Sequence, residues 1–178
     1  SELFPPHRRQ RQIVLASLAL FVTCTTLACA PTGDIAQARK HLAEGKPAQA
    51  CRVLEGRLGL AAPRERRLDV VRLWIHCKEQ SGRLAEVQDR VASLEDGARQ
   101  YASALALMAR SPANLPRALA LFEEAQRRWP DVGEIPYRAG VLLLADHQSA
   151  RALPLLRQGC KLSDTAACAV ATAHALLD

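Results

Sequence analysis

Apolar residues recur at intervals of three and four along residues 34–178, the spacing that places them on one side of an α-helix. One such stripe holds Ala50, Val53, Leu54 and Leu58. The alternating β-branched runs that are typical of strands do not occur. The pattern therefore predicts an all-α fold. Breaks rich in Gly, Pro, Ser, Asn and Asp divide it into helices over 34–44, 47–58, 64–80, 84–94, 98–109, 115–128, 134–145 and 149–161, with a last helix from Asp164 to residue 178.

Three of these helices begin near a side chain that favours the N-cap position, namely Asp34, Ser149 and Asp164. Pro154 lies inside the helix that begins near Ser149. There it removes one internal hydrogen bond, so we expect a kink. No stop signal follows the last helix, and whether the array continues beyond Asp178 is left open.

The leading segment differs from the rest of the chain. Arg8, Arg9 and Arg11 precede eighteen residues without a charge, from Ile13 to Ala30. A basic head followed by an apolar run of this length is the pattern of a secretory signal peptide, and we assign residues 1–28 to it. Because the run is only just long enough to span a bilayer, an uncleaved signal anchor is the main alternative, followed by an ordinary cleavable signal.

The end of this segment, Thr26-Leu27-Ala28-Cys29, resembles the lipobox of bacterial lipoproteins, although Leu27 stands one place later than the usual leucine. The resemblance implies that the chain is cut before Cys29, that Cys29 carries lipid, and that residues 29–33 form a tether. Ala30 follows the cysteine where an inner-membrane lipoprotein would have Asp. The resemblance therefore implies the periplasmic face of the outer membrane, with an inner-membrane signal anchor and a periplasmic domain as the alternative.

Composition narrows the function classes. The chain is 49% hydrophobic but only 4% aromatic, with a formal net charge of +6, part of which belongs to the leading segment. Acidic and basic residues alternate in sign, and no Lys/Arg block is interleaved with aromatics, so we expect no nucleic-acid partner. The sequence has no nucleophile elbow, no phosphate-binding glycine loop and no metal-ligand spacing. We therefore expect neither an enzyme nor a cofactor.

A repeat is visible in the second half of the chain. Ala118, Phe122, Ala125 and Pro130 match Ala152, Leu156, Gly159 and Asp164 at an offset of 34 residues. This period and these residue types resemble the tetratricopeptide repeat. The resemblance implies that residues 34–178 form a right-handed superhelix of antiparallel helix hairpins, a TPR-like solenoid. An irregular helical bundle is the alternative.

In such a solenoid the first helix of each hairpin lines a concave groove. The resemblance places Tyr137 on that face, and Gln100, Ser103 and Arg110 are the corresponding positions one repeat earlier. These four residues are the candidate partner-binding set.

Four cysteines follow the leading segment, Cys51, Cys77, Cys160 and Cys168. An even number in an exported domain indicates disulfides, and four cysteines allow three connectivities. Free buried thiols and a metal site remain open, although no Cys-x-x-Cys occurs. The stretch around Cys160 and Cys168 also resembles cysteine-rich, disulfide-stapled helical repeats. That resemblance implies the pair Cys160–Cys168, and with it Cys51–Cys77.

These observations together predict an envelope-tethered scaffold for protein–protein interaction. Its partners would be a protein or peptide client, held on the concave surface, and the membrane, reached through the lipid anchor. A periplasmic small-ligand-binding protein, or an accessory protein acting on the cell wall, is the alternative.

Overall fold

The computed structural model describes residues 33–163 and 166–177, and these residues are helical without a strand. The predictions for Cys29, the signal peptide and the Asp164 cap concern residues outside the described ones. The α-helices are α1 Gly33–Ala43, α2 Pro47–Glu55, α3 Arg64–Gln80, α4 Val87–Val91, α5 Asp96–Arg110, α6 Leu115–Arg128, α7 Glu134–Ala145, α8 Ser149–Leu162 and α9 Ala166–Leu177. Short 3-10 helices, Leu84–Glu86 and Pro112–Asn114, precede α4 and α6. Among these helices none is both long and apolar enough to cross a membrane.

The predicted all-α class is confirmed, and α3 and α7 have the expected bounds. The segment over 84–94 differs from its prediction. It forms a 3-10 turn followed by the five-residue α4, and the helix ends at Val91. The Ser93 hydroxyl donates a hydrogen bond of 2.7 Å to the Arg90 carbonyl. A serine side chain that bonds a backbone carbonyl three residues earlier competes with helical hydrogen bonding, which accounts for the end of α4 at Val91.

The expected cap at Ser149 is wrong, because Ser149 is the first helical residue and Gln148 occupies the N-cap position. The Gln148 carbonyl accepts the backbone N–H groups of Arg151 and Ala152, each at 3.0 Å. Asp34 likewise lies within the first turn of α1 rather than before it. Helix α8 continues through Pro154 to Leu162.

Three of the turns between helices share one backbone geometry. Gly45, Gly82 and His147 each have a positive φ, of 69°, 70° and 58°. In each turn this residue donates its N–H to a carbonyl three residues back, and the next residue donates to a carbonyl five residues back. This is the Schellman motif, which ends a helix and reverses the chain. The same device therefore closes the first helix of three separate hairpins.

Consecutive helices that short connections join pack side by side and are therefore antiparallel, whether the connection is a Schellman turn or the 3-10 helix Pro112–Asn114. The pairs are α1 with α2, α5 with α6, and α7 with α8, and α3 leads into the short α4. The main core extends from α1 to α7 and contains Leu54, Trp74, Tyr101 and Phe122. A second cluster joins α7, α8 and α9. Its buried members are Leu143, Ala152, Leu156, Ala171 and Ala175.

Small residues allow the backbones to approach at the repeat positions. Ala118, Ala125 and Ala152 have no exposed surface. A Cβ added to Gly140 would lie 2.7 Å from the Leu156 Cγ atom, and one added to Gly159 would lie 2.8 Å from the Tyr137 Cβ atom. In the second copy of the repeat, Leu156 and Gly159 are thus packing positions between α8 and α7.

The four cysteines that follow the leading segment form two disulfides. Cys51–Cys77 joins α2 to α3, with a Cα–Cα distance of 5.6 Å. Cys160–Cys168 joins α8 to α9, with a Cα–Cα distance of 5.2 Å. These are the two pairs that the resemblance implies. Each links a helix to its successor and restricts the unfolded chain.

Candidate interaction surface

A connected set of charged side chains lies on the first helices of successive hairpins. Its first half is centred on Asp69 in α3. Arg39 of α1 donates to the Asp69 carboxylate, with an Nη2–Oδ2 distance of 2.8 Å. Arg72, one turn further along α3, donates to the other oxygen of the same carboxylate. Asp69 therefore accepts from two guanidinium groups and connects α1 to α3.

The second half is centred on Glu134, the first residue of α7. Its Oε1 atom accepts from Arg138 Nε at 2.7 Å and from the Tyr101 hydroxyl of α5 at 3.0 Å. Arg72 Nε lies 3.6 Å from the same oxygen. Glu134 thus joins α3, α5 and α7. We call the whole set the arginine network, and its members are Arg39, Asp69, Arg72, Tyr101, Glu134 and Arg138.

Local sequence accounts for part of this geometry. Asp69 and Arg72 are three residues apart, and Glu134 and Arg138 are four residues apart, so each pair shares one side of its helix. Glu134 is also acidic at a helix N-terminus, where the helix dipole favours a negative charge. Tyr101 is fixed by packing, with its ring 5.7 Å from the Phe122 ring in an edge-to-face arrangement.

The network is accessible, but part of its surface is removed from water. The five charged side chains are 26% to 33% exposed. Interactions of a partner with such groups are screened less than those with fully exposed charges. Three guanidinium groups surround two carboxylates, so the network carries an excess of one positive charge. This arrangement can accept an anionic or hydrogen-bond-accepting group from a partner.

The environment shifts the acid–base properties of the network. Burial raises the pKa of the Tyr101 phenol well above its ordinary value, and the Glu134 charge raises it further. Burial also raises the pKa of Tyr137, the next aromatic residue along this surface. For Arg138, burial alone lowers the pKa, but Glu134, Tyr101 and Tyr137 together outweigh it, so the pKa lies above its ordinary value. These groups keep their protons at neutral pH.

Of the four residues that the sequence assigns to partner binding, Tyr137 is the one whose described side chain interacts with the network. The Arg138 guanidinium lies over its ring at 5.7 Å, and Tyr137 is half-buried. Gln100 and Ser103 are half-buried on α5, and Arg110 is exposed at its last residue. Among the described residues no hydrogen bond or ion pair joins the side chains of these three residues to the network. Gln100 Oε1 is buried without a hydrogen-bond partner in the described structure.

Sequence reasoning missed the arginine network. The i,i+3 and i,i+4 pairs within α3 and α7 were visible as charge patterns. The links between helices were not, because Arg39 and Asp69 are 30 residues apart and Tyr101 and Glu134 are 33 apart.

Two further polar clusters serve packing. Lys78 is 2% exposed and lies 2.6 Å from Glu55 Oε1 and 2.7 Å from Glu86 Oε2, which holds the second half of α3 against α2 and the 3-10 turn. The hydrogen bond from Lys78 lowers the pKa of Glu55. The Trp129 ring, 3% exposed, packs under the guanidinium groups of Arg64 and Arg67, at 5.5 and 5.3 Å.

Two open depressions lie elsewhere on the described surface, and neither includes Tyr137. One, of about 600 Å³, is lined by His147, Ser149, Ala150 and Ala175. The other, of about 300 Å³, lies between α6 and the start of α8 and includes Leu119, Glu123 and Arg151. A group of His, Cys, Asp or Glu side chains able to hold a metal ion is absent from residues 33–163 and 166–177.

Comparison with known proteins yields no relative: the chain matches no protein-family model, no curated protein and no solved structure.

Proposed function

We propose that this chain is an envelope-tethered scaffold that holds a protein or peptide client on the first helices of its hairpins. The arginine network carries the proposal. Both of its carboxylates are engaged by guanidinium groups, which makes them poor candidates for general bases. A partly exposed array of arginines beside the aromatic Tyr137 suits recognition rather than catalysis, because Arg and Tyr are enriched where proteins bind one another.

We further propose that the hairpins form a right-handed, TPR-like superhelix with the network in its concave groove. The shared Schellman turns and the buried small residues of the 34-residue repeat support this arrangement. Hairpins that cannot each enclose their own apolar side gain stability by stacking, and a stacked array presents its first helices on one face. Tyr137, Gln100, Ser103 and Arg110 would then line the groove.

For location, we propose a lipid anchor at Cys29 and a site on the periplasmic face of the outer membrane. An inner-membrane signal anchor with a periplasmic domain is the alternative. Two disulfides among the described residues favour an oxidising compartment, since such bonds are rare in the cytosol. The polarity of the arginine network suits clients that bind weakly or transiently.

Site-specific photo-crosslinking in the native cell envelope tests the scaffold. A photoreactive phenylalanine replaces Tyr137, where an aromatic ring already stands, and the matched control places it at the exposed Ala120 on α6. We expect a discrete protein adduct from position 137 and none from position 120. Adding Arg72→Ala should weaken the adduct, because Arg72 bridges both halves of the network. Equal labelling at both positions, or an adduct that Arg72→Ala leaves unchanged, would contradict the proposal.

A further inference from the structure

The two disulfides of the molecule differ in how easily a reductant can reach them. Cys51 and Cys77 are 1% and 0% exposed, inside the main core. Cys160 is half-buried near the end of α8, and its partner Cys168 is 3% exposed. Exchange with an external thiol begins when a thiolate attacks one sulfur atom of the disulfide, so access helps to decide which bond is reduced first. The Cys160–Cys168 bond is therefore the one open to attack, through the sulfur atom of Cys160.

The positions of these two cysteines in their helices favour the same direction of attack. Cys168 lies in the first turn of α9, where the free N–H groups and the helix dipole stabilise a negative charge. A sulfur atom that is stable as a thiolate leaves a disulfide more readily. Cys160 lies instead in the last turn of α8, where the helix dipole gives no such stabilisation. Attack at Cys160 thus displaces the sulfur atom that leaves more easily.

Helix α9 has few other attachments among the described residues. Apart from Cys168, its described buried side chains are Ala171 and Ala175, and each alanine buries a single methyl group. The polar side-chain contact described between α9 and α8 is the approach of Thr172 Oγ1 to Cys160 Sγ, at 3.6 Å. A helix of twelve residues is only marginally stable in water by itself. The attachment of α9 therefore depends on the disulfide.

Helix α9 in turn covers apolar residues of the α7–α8 hairpin. Ala171 and Ala175 complete the cluster that contains Leu143 of α7 and Leu156 of α8, both of which are buried. Helix α7 also belongs to the main core, through residues such as Ile135. Departure of α9 would therefore expose Leu143 and Leu156 to water without separating α7 from the helices before it.

We propose that the Cys160–Cys168 disulfide is a redox switch, which a dithiol reductant opens to release α9 from the α7–α8 hairpin. A thiolate of the reductant attacks Cys160 Sγ, and Cys168 leaves as a thiolate and takes up a proton. The second thiol of the reductant then displaces Cys160 from the mixed disulfide. The reductant becomes a disulfide and the protein gains two thiols, so two electrons and two protons have been transferred. Without the bond, α9 unfolds and the apolar cluster reaches solvent.

Timed reduction of the full chain tests the chemical step. The oxidised protein receives dithiothreitol, free thiols are alkylated at intervals, and peptide mass spectrometry measures the labelling of each cysteine. We expect Cys160 and Cys168 to be labelled at least about tenfold faster than Cys51 and Cys77, because access to the sulfur atoms limits the rate of exchange. Equal rates for the two pairs, or faster labelling of Cys51 and Cys77, would overturn the proposal.

Hydrogen exchange tests the release of α9. In protein whose Cys160–Cys168 bond alone is reduced, we expect the amides of residues 169–176 to exchange at least about tenfold faster than in the oxidised protein, since local unfolding permits exchange. The amides of α3 should keep their rates. An unchanged rate in α9 would rule out its release. Equal acceleration in α3 would rule out a local switch, because the whole molecule would then unfold.

Paired variants separate the two disulfides. C160S/C168S keeps the Cys51–Cys77 bond and should show fast exchange in α9 without any reductant. C51S/C77S is the matched control, in which α9 should stay protected until dithiothreitol is added. If C51S/C77S does not fold, the partly reduced parent protein supplies the same comparison. Protection of α9 in C160S/C168S equal to that in the parent protein would contradict the switch. These measurements need no client, so their outcome is independent of the proposed scaffold function.

Discussion

His147 occupies the left-handed backbone region, with φ of 58°, at the position that Gly45 and Gly82 hold in two other turns. A residue with a Cβ is strained there by about 1–2 kcal/mol, whereas glycine is not. The turn before α8 therefore stores strain that the other two lack.

His147→Gly should relieve this strain. Glycine also makes the unfolded chain more flexible, so we expect a net gain of about 0.5–1 kcal/mol in the free energy of unfolding, measured by urea denaturation. The control is Gly82→Ala, at φ of 70° with open space around the added Cβ. It should lose about 1 kcal/mol. Destabilisation by His147→Gly would show that the imidazole contributes more than the turn costs.

Tyr101 makes the free energy of unfolding depend on pH in the alkaline range. Burial first, and then the Glu134 charge, raise its pKa well above the ordinary 10.0. The folded protein therefore keeps the phenol proton where the unfolded chain loses it. This contribution to stability is complete below pH 10 and is lost as the pH rises further.

Tyr101→Phe removes the titratable phenol hydroxyl and, with it, the hydrogen bond to Glu134. At pH 7 we expect a loss of about 1 kcal/mol. Above pH 10 the difference from the parent protein should narrow, because the variant lacks the alkaline loss. Unfolding free energies between pH 7 and 11 measure this, with the half-buried Tyr137→Phe as the comparison. Parallel pH curves for the parent protein and Tyr101→Phe would contradict the assignment.

The helices themselves were largely predictable, and the exceptions have local causes. Pro63 and Gly82 flank α3 and Gly133 precedes α7, and such residues act through the backbone alone. Helix α4 is shorter than expected because Ser93 bonds the Arg90 carbonyl. Ser149 does not cap α8 because the preceding Schellman turn places Gln148 at the N-cap. The spacing of apolar residues predicts which side of a helix is buried, but the backbone geometry of the preceding turn decides at which residue the helix begins.

The close packing of α7 against α8 depends on glycine at position 140. A Cβ on Gly140 would stand 2.7 Å from Leu156 Cγ and 3.2 Å from the Ala152 carbonyl oxygen. Leu156 is fully buried and has little room to move. Gly140→Ala should therefore cost about 1–3 kcal/mol of unfolding free energy. Gly59→Ala, with nothing within 4 Å, should change it by less than about 0.5 kcal/mol. Similar values for both variants would contradict close packing at this site.

At the scale of the whole molecule, spacing patterns in the sequence predicted some features and left others unpredicted. The 34-residue offset and the four cysteines indicated a helical, disulfide-linked array, because both are patterns of spacing. The arginine network was not predictable in the same way. Its links join side chains on α1, α3, α5 and α7, and only packing brings such distant positions together. The proposed site therefore consists mainly of residues that no short motif identifies.

The proposed scaffold function requires that this protein folds outside the cytoplasm. Peptide mapping of the native protein under non-reducing conditions, on fractionated membranes and cytosol, tests that directly. We predict an acylated peptide that begins at Cys29 in the membrane fraction, together with the linked pairs Cys51–Cys77 and Cys160–Cys168. Recovery from the cytosol with the four thiols free would contradict the envelope scaffold and the assignment of both disulfides.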